Sequence, residues 1–330
     1  VTFNASASND TDGSIISYTW SFGDGTPEVT EMDPITTHTY KVGRDYNVTL
    51  TLRDNFKPVG TNATWRIITV LEAWPMFRHD PTHAGYSTSP SPVLNTTLWN
   101  QTIGPVSYSS PAVFNDVVFI GSTNGTFYAL NATDGNLIWS KPLGDPICSS
   151  PTVVGNMVFI ASENGTISAW DVNGNFLWAN HTQGMIYSSP TVSENRVFIG
   201  SQDSHLYAFD KINGNQLWAT YLGGAVDSSP AVASGRVFVG SWYGTVYAID
   251  ETNGNVTKKY VIAAQVRIKS SPAIAYGKVF IGAGNGSLYA LNMDCEFQWQ
   301  KPTGGAVDSS PAVAYNKVFV GSSDGKVYAY

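Results

Sequence analysis

The feature that most constrains the fold of this chain is a short phrase that recurs at nearly fixed spacing. Ser-Ser-Pro begins at six positions, with steps of 40, 39, 40, 42 and 39 residues: Ser109, Ser149, Ser188, Ser228, Ser270 and Ser309. Eleven residues, GGAVDSSPAVA, occur unchanged at 223–233 and 304–314. A period of about 40 residues indicates a chain built from repeated supersecondary units.

Each repeat has the pattern of short strands joined by tight turns. An apolar run such as VVFIGS (117–122) follows Ser-Ser-Pro, and a second run such as TFYALN (126–131) comes next. Pairs such as Asn124-Gly125 and Asp134-Gly135 separate the runs. Because these pairs accept positive φ, they favour the type I′ turns of antiparallel hairpins. A tryptophan closes most copies: Trp139, Trp178, Trp218 and Trp299. Each repeat is therefore predicted to be a four-stranded meander.

Six such sheets arranged radially would bury both of their faces, which predicts an all-β, six-bladed propeller; seven or eight blades are less favoured. The sixth repeat reaches Tyr330 without its tryptophan strand, whereas a spare segment, TTLWNQT with Trp99, precedes the first repeat. We expect this segment to complete the last blade by strand pairing. The spare strand disfavours an open solenoid.

Residues 1–70 lack the period and carry a different motif. WSFGDG (20–25) is followed by HTY (38–40), Gly43 and YNVTLTLRD (46–54). We expect glycines 23 and 25 to permit a tight turn in which the Asp24 carboxylate accepts hydrogen bonds from backbone amides. Trp20 and Tyr46 are predicted core residues of a β-sandwich.

These motifs resemble two known families. The N-terminal motif resembles the PKD domain, an immunoglobulin-like sandwich, and the repeated phrases resemble the quinoprotein-type, PQQ-like propeller repeat. The segment WPMFRHDPTHAGYS (74–87) resembles the lead-in of such propellers, especially in archaeal surface-layer proteins. The predicted domains are a PKD-like sandwich at 1–70 that apparently lacks its first strand, a lead-in arm at 71–98 and the propeller at 99–330. The chain is expected to come from a longer polypeptide, and the sandwich edge could accept a strand from another chain.

Composition narrows the class of protein and its location. The net charge is −7 without a basic run, which disfavours nucleic-acid binding, and no apolar run is long enough to span a membrane. The two cysteines, Cys148 and Cys295, cannot form a disulfide framework. Of twelve Asn-x-Ser/Thr triplets, three (Asn124, Asn164 and Asn285) are Asn-Gly turns. The other nine predict an extracellular glycoprotein: Asn4, Asn9, Asn47, Asn62, Asn95, Asn100, Asn131, Asn180 and Asn255.

The candidate binding residues precede Ser-Ser-Pro, where the repeats differ. If the innermost strands line the central channel, these side chains ring one of its mouths: Tyr108, Cys148, Tyr187, Asp227, Lys269 and Asp308. Aromatic and polar groups in such a ring suit a sugar or a peptide, which makes all of them except Cys148 candidate ligand- or partner-binding residues. The alternative is that they only cap the channel. The strand-end tryptophans are interpreted as wedges between blades.

The resemblance also bears on chemistry. An active quinoprotein would need pyrroloquinoline quinone, Ca²⁺, an axial Asp base, Glu/Asn metal ligands, a stacking Trp and usually an adjacent Cys pair. No adjacent cysteines occur in this chain, so we expect no enzyme, no catalytic residue, no cofactor and no metal site. His79 and His83 flank Pro81 in the lead-in arm and are not expected to bind metal. A weak Ca²⁺ site formed by the loop at 9–13 of the PKD-like domain remains an open alternative.

The sequence therefore favours a non-enzymatic, extracellular structural or adhesion protein of the cell surface, such as a surface-layer, stalk or filament subunit. Its expected partners are other surface proteins, copies of itself or glycans. Two alternatives remain open. One is a carbohydrate- or peptide-binding receptor that uses the channel mouth, and the other is a degenerate quinoprotein enzyme.

Overall fold

The computed structural model describes residues 1–11, 13–40, 45–55, 61–69, 76–83, 85 and 96–330. These residues form two units, one from the residues up to 69 and one from residues 76–83, 85 and 96–330. Gly43, Trp74 and Asn95, which the sequence analysis singled out, lie outside the described residues. No helix among the described segments is long and apolar enough to cross a membrane.

The N-terminal unit contains two antiparallel sheets. Its six strands are β1 (Thr2–Asn4), β2 (Ile15–Ser21), β3 (Val29–Glu31), β4 (Ile35–Thr37), β5 (Asp45–Asp54) and β6 (Thr61–Thr69). The order in the larger sheet is β3-β2-β5-β6, and β1 pairs with β4. Trp20 and Tyr46 are buried in the core between the sheets, as predicted.

The predicted turn after β2 is present. Gly23 and Gly25 have φ of 74° and 86°. The Asp24 carboxylate accepts hydrogen bonds from the backbone N and the hydroxyl of Thr26. A second carboxylate oxygen lies 2.7 Å from Nε2 of His38. The hydrogen bonds from Thr26 and His38 lower the pKa of Asp24 well below its ordinary value. Asp24 therefore ties the turn to the segment that follows β4.

The second unit consists of six antiparallel meanders, which we number as blades 1 to 6. Blades 1 to 3 contain β7 (Ala112–Phe114), β8 (Val117–Gly121), β9 (Thr126–Asn131) and β10 (Leu137–Pro142); β11 (Thr152–Val154), β12 (Met157–Ala161), β13 (Thr166–Asp171) and β14 (Phe176–His181); and β15 (Thr191–Ser193), β16 (Arg196–Gly200), β17 (His205–Asp210) and β18 (Gln216–Tyr221).

Blades 4 to 6 continue the pattern. They contain β19 (Ala231–Ala233), β20 (Arg236–Gly240), β21 (Thr245–Asp250) and β22 (Val256–Val261); β23 (Ala273–Ala275), β24 (Lys278–Ala283), β25 (Ser287–Asn292) and β26 (Phe297–Pro302); and β27 (Ala312–Ala314), β28 (Lys317–Gly321) and β29 (Val327–Ala329). The first strands of successive blades contact one another and form the inner wall of a propeller.

The two serines of Ser-Ser-Pro have different roles. The first serine bonds within its own blade, as Ser228 Oγ does in accepting the backbone N of Gly240 at 3.2 Å. The second serine bonds to the preceding blade, as Ser229 Oγ does in accepting the backbone N of Ser189 at 2.9 Å. The second type of bond joins all five successive pairs from blade 1 to blade 6. The repeated phrase therefore fixes each inner strand to its own sheet and to its neighbour.

The expected closure of the ring by TTLWNQT is not found among the described residues. Blade 6 has three strands, and residues 96–100 lie in no strand. Trp99 nevertheless docks on blade 1 by donating its indole N–H to the Ala132 carbonyl at 2.9 Å. Ile120 of blade 1 and Phe319 of blade 6 are only half-buried, whereas their counterparts in the middle blades are fully buried. The predicted pairing is absent from the described part: the spare segment contacts blade 1 through Trp99, and the edge of β29 has no strand partner there.

Candidate functional site at the channel mouth

A segment of the lead-in arm fills part of the channel. The carbonyl of Pro81 accepts the backbone N–H of Val232 at 2.6 Å, and the carbonyl of Thr82 accepts that of Ile274 at 2.8 Å. Arg78 donates its guanidinium N–H groups to the carbonyls of Ser310 and Pro311. This segment, residues 76–83, bonds directly to the inner strands of blades 4 and 5 and to the loop before the inner strand of blade 6. The part of the predicted arm that the structure describes is thus an element of the propeller as well as a connection.

His83 anchors the same segment to blade 3. Its side chain is completely buried, and Nε2 lies 3.1 Å from the hydroxyl oxygen of Thr191. That hydroxyl also lies 2.6 Å from the Pro230 carbonyl, to which it donates, so Nε2 carries the proton and donates to Thr191. Burial, reinforced by the nearby Arg78 cation, lowers the pKa of His83 to about 3. His83 is thus a neutral residue that holds the arm to blade 3, and the expectation that it binds no metal with His79 stays a prediction.

The structure brings together four of the six residues that precede Ser-Ser-Pro. Cys148 is buried, Tyr187 and Asp227 are half-buried, and Lys269 is exposed near Asp227. Tyr108 is 83% exposed with φ of 68°, and Asp308 is also exposed. In the part of the chain that the structure describes, neither has a hydrogen bond to the other four. The ring is therefore ordered across blades 2 to 5 and open beside blades 1 and 6.

Two contacts order the side of the mouth formed by blades 2 and 3. The Cys148 thiol donates to Glu163 Oε1 at 3.0 Å. Burial and the neighbouring Glu163 carboxylate raise the pKa of Cys148 to about 12, so the thiol is protonated at neutral pH. Burial also raises the pKa of Tyr187, with a further contribution from Glu163. Cys148 is therefore a protonated, hydrogen-bonded thiol and not an activated nucleophile.

A second network crosses blades 3 to 5. The Asp227 carboxylate accepts the side-chain amide of Gln202 at 3.1 Å and the indole N–H of Trp242 at 3.1 Å. The guanidinium carbon of Arg267 lies 4.5 Å from the centre of the Trp242 ring, which is cation–π geometry. Burial raises the pKa of Asp227, although both hydrogen bonds oppose this effect. The network holds the Arg267 cation at a fixed place beside a groove.

Sequence reasoning found Asp227 but missed its partners. Gln202 and Trp242 occupy corresponding positions just after the second strand, where the six repeats carry Thr123, Glu163, Gln202, Trp242, Gly284 and Ser323. This second variable position faces the same mouth, as the Cys148–Glu163 bond shows. Variation at two positions of an otherwise regular repeat was the signal that could have found the network.

The tryptophan wedges are confirmed. Trp139, Trp178 and Trp218 each donate their indole N–H to the carbonyl 33 residues later, in the next blade. Trp99 makes the same contact with blade 1. These side chains join neighbouring blades and are remote from the channel mouth. Trp299 lines a groove of about 460 Å³ beside Tyr330.

The predicted glycosylation sites differ in exposure. Asn4, Asn9, Asn47, Asn62, Asn100 and Asn255 are exposed, and Asn131 is half-buried. Asn180 is also half-buried, and its side-chain N–H donates to the Gly214 carbonyl at 2.9 Å. A glycan on Asn180 would have to displace this contact between blades. Occupancy of the described sites stays a prediction.

The residues at the mouth do not fit pyrroloquinoline quinone in the way that the resemblance requires. Cys148 is followed by Ser149 and not by a second cysteine, and its thiol bonds to Glu163. Arg267 lies over one face of the Trp242 ring, so a cation already occupies that face. Within the described ranges, no group of three or more His, Cys, Asp or Glu side chains is placed to hold a metal ion.

Comparisons with protein families match both units. The family model for outer membrane protein assembly factor BamB, a PQQ-like propeller family, matches residues 94–184 and 155–330. The PKD domain model matches residues 1–68. No curated protein matches the sequence.

Solved propeller structures are similar to the chain in fold. The computationally designed protein Ika8 has a TM-score of 0.60 and 20% identity, with 67% of this chain and 70% of that one covered. A quinohemoprotein alcohol dehydrogenase from Pseudomonas putida HK5 has a TM-score of 0.62 and 15% identity, with 70% and 48% covered. The corresponding enzyme from Comamonas testosteroni has a TM-score of 0.61 and 15% identity, with 70% and 49% covered. The chain spans about half the length of these dehydrogenases, and the likeness concerns fold alone.

Proposed function

Because the chain belongs to the BamB family of PQQ-like propeller repeats and carries a PKD domain, we propose that it is a non-enzymatic scaffold and adhesion module of a protein that works outside the cytoplasm. Its role is to present fixed surfaces to other proteins, to copies of itself or to glycans at the cell surface. A PKD domain joined to a BamB-like propeller fits a surface or periplasmic protein. The surface-layer, stalk and filament roles are particular forms of this proposal.

The observation that carries the proposal is the use of the channel by the chain itself. Residues 76–83 bond to blades 3 to 6, and the half-buried Arg78 and the buried His83 are committed to backbone and hydroxyl partners in these contacts. The groups that a cofactor in this part of the channel would need are therefore engaged in holding the blades. This arrangement supports a rigid display element whose variable side chains lie at the mouth.

The exposed sequons support a location outside the cytoplasm. Six of the described asparagines in these triplets are exposed, and they lie in both units. Glycans on them would shield the faces that are not used for contacts. Asn180, which bonds to the next blade, is the site where we expect no glycan.

The experiment is made on protein from its native source. Surface labelling by immunogold electron microscopy is combined with intact mass before and after deglycosylation. We expect label at the cell surface and a mass that falls on deglycosylation. Site mapping supplies an internal control, because exposed Asn62 should carry glycan and Asn180 should not. Unmodified protein found only in the cytoplasm would overturn the proposal.

The receptor alternative has one observation in its favour, the ordered network of Gln202, Asp227, Trp242 and Arg267. A scaffold that only capped its channel would not require a fixed, exposed cation beside an aromatic ring. Ligand binding at this place is compatible with adhesion through glycan contacts.

A further inference from the structure

The loop that precedes blade 5 departs from the repeat in a way that the fold does not require. Before blades 4 and 6, three residues, Gly-Gly-Ala, lie between the first residue after the preceding outer strand (Leu222 or Thr303) and the buried apolar position (Val226 or Val307). Before blade 5, the five residues 263–267 (AAQVR) stand in their place. The equivalent apolar residue, Ile268, is still fully buried. The longer loop therefore keeps the packing and adds new side chains at the mouth.

The added residues place a cation in a fixed orientation. Arg267 lies 4.5 Å from the centre of the Trp242 ring, and Trp242 is itself held by its indole bond to Asp227. Both carboxylate oxygens of Asp227 are used, one by Gln202 and one by Trp242. Across the described ranges, Arg267 takes part in no ion pair. A stacked guanidinium keeps its N–H donors in one plane, ready for bidentate binding of a carboxylate.

The groove beside Arg267 is lined by residue types that suit a sugar ligand. It has a volume of about 380 Å³, near the lower end of the range for small-molecule sites. Tyr243, 56% exposed, provides a flat apolar ring, and Gln265 and Ser204 provide hydrogen-bonding groups at the rim. Gly223 and Gly224 line the floor without side chains. An aromatic ring with a few polar groups around it suits a pyranose ring that stacks on one face.

We infer that the groove between blades 4 and 5 binds a carboxylated sugar, of the uronic-acid class, with its ring against Tyr243 and its carboxylate on Arg267. The inference rests on the proposed function, because it names the glycan class that such a module would contact. The sugar chemistry follows from the pairing of a stacked cation with an exposed tyrosine ring. Lys269, two residues further along the chain, adds positive charge near the same mouth.

The test is a titration of the whole chain with oligogalacturonate, followed by saturation-transfer NMR and calorimetry. The neutral methyl-ester oligomer is the comparison ligand. We expect saturable binding of the acidic oligomer and at least tenfold weaker binding of the ester. Arg267→Gln should lower the affinity for the acid about tenfold or more, because it removes charge-assisted hydrogen bonds to the carboxylate. Tyr243→Ala should weaken binding of both ligands.

Matched controls separate the site from general charge and folding effects. Arg53→Gln removes an exposed arginine of the N-terminal unit, and Tyr276→Ala removes an exposed tyrosine from the inner hairpin of blade 5. Both controls should bind like the parent chain, and circular dichroism should show that all four variants are folded. Equal affinity for the acid and the ester, or unchanged binding by Arg267→Gln, would overturn the inference.

Two further outcomes keep this inference distinct from the proposed function. Equal binding of an acidic peptide such as oligo-aspartate would overturn the assignment to a sugar. Absence of oligogalacturonate binding by a protein that immunogold places at the cell surface would refute the groove site only. Cytoplasmic protein that still bound the oligomer would refute the proposed function and leave the groove site intact.

Discussion

At the scale of the residue, each wedge tryptophan packs against a glycine in the turn of the next blade. The glycine is required there both because a side chain would collide with the indole and because its φ is positive. A Cβ on Gly214 would lie 2.5 Å from the indole of Trp178, and the same conflict joins Gly174 with Trp139 and Gly254 with Trp218. These glycines also have positive φ. The tryptophan of one blade can dock only because the turn of the next blade lacks a side chain.

At the contact between blades 4 and 5, both the tryptophan and the facing glycine are replaced. Lys258 of blade 4 pairs with Ala248 as Trp218 pairs with Ala208, so a lysine stands where other outer strands carry a tryptophan. The facing turn of blade 5 has Cys295 at the corresponding position, with φ of 56°. Without an indole to accommodate, a side chain fits there, and Cys295 is buried in the core between the blades. The cysteine is thus explained by packing.

Gly214→Ala should therefore destabilise the propeller more than Gly155→Ala. Both alanines must adopt positive φ, at a cost of about 1–2 kcal/mol. A Cβ at Gly155 meets no atom within 4 Å, whereas at Gly214 it displaces Trp178. Overpacking of this kind adds about 1–3 kcal/mol. Urea unfolding of both variants measures the difference in their free energies of unfolding. Equal losses would contradict the prediction, because they would show that Trp178 moves aside without cost.

At the scale of the element, the Ser-Ser-Pro strand is stabilised by a hydrogen bond that passes from blade to blade. From blade 2 to blade 6, the second serine accepts a backbone N–H of the preceding blade at 2.9–3.0 Å. In the middle blades, these amides have little access to water because the strands are buried. The phrase is repeated because each blade needs the same connection.

Ser229→Ala should lower the free energy of unfolding by about 1–3 kcal/mol, because it leaves the buried N–H of Ser189 without its acceptor. Ser110→Ala is the control, since Ser110 is exposed at the start of the series and accepts no such bond among the described contacts. Chemical denaturation compares the two variants. A loss for Ser110→Ala as large as that for Ser229→Ala would contradict the proposed role of the chain of bonds.

At the scale of the whole molecule, the segment at 76–83 contacts blades that are far apart in sequence and acts as a hub for them. His83 reaches blade 3, Pro81 and Thr82 reach blades 4 and 5, and Arg78 reaches blade 6. The serine–amide bonds connect each blade only to the next one, whereas the contacts of this segment join several blades directly. The hub should therefore affect the stability of the propeller as one cooperative unit.

The neutral state of His83 gives this stability a dependence on pH. Its pKa is about 3 in the folded chain and about 6.5 when unfolded, so the unfolded state binds more protons between these values. Stability should fall as the pH drops below 6.5, by about 2 kcal/mol between pH 7 and pH 5. His83→Gln, which retains an N–H donor, should remove this component. Denaturant unfolding of the parent chain and of the variant at pH 7 and pH 5 measures the contribution of His83. The same pH dependence in both proteins would contradict the prediction.

The sequence by itself determined the fold class and much of the local structure. The 40-residue period, the Asn-Gly turns and the alternating apolar runs are patterns within one repeat, so the blades could be predicted from them. The wedge tryptophans could be predicted because a tryptophan recurs at the end of most copies. The WSFGDG motif similarly gave the turn at Asp24, because its hydrogen bonds are local. Asp227 was found because it varies within a regular phrase.

Only the tertiary structure decided how distant segments meet. Three features join parts that local patterns do not relate: the insertion of residues 76–83 into the channel, the stacking of Arg267 on Trp242 and the docking of Trp99 without strand pairing. Their energies come from burial and hydrogen bonds between segments far apart in sequence, as with His83 and Thr191, which are separated by 108 residues. A repeat specifies what each blade can contact, and the packed molecule decides which contacts form.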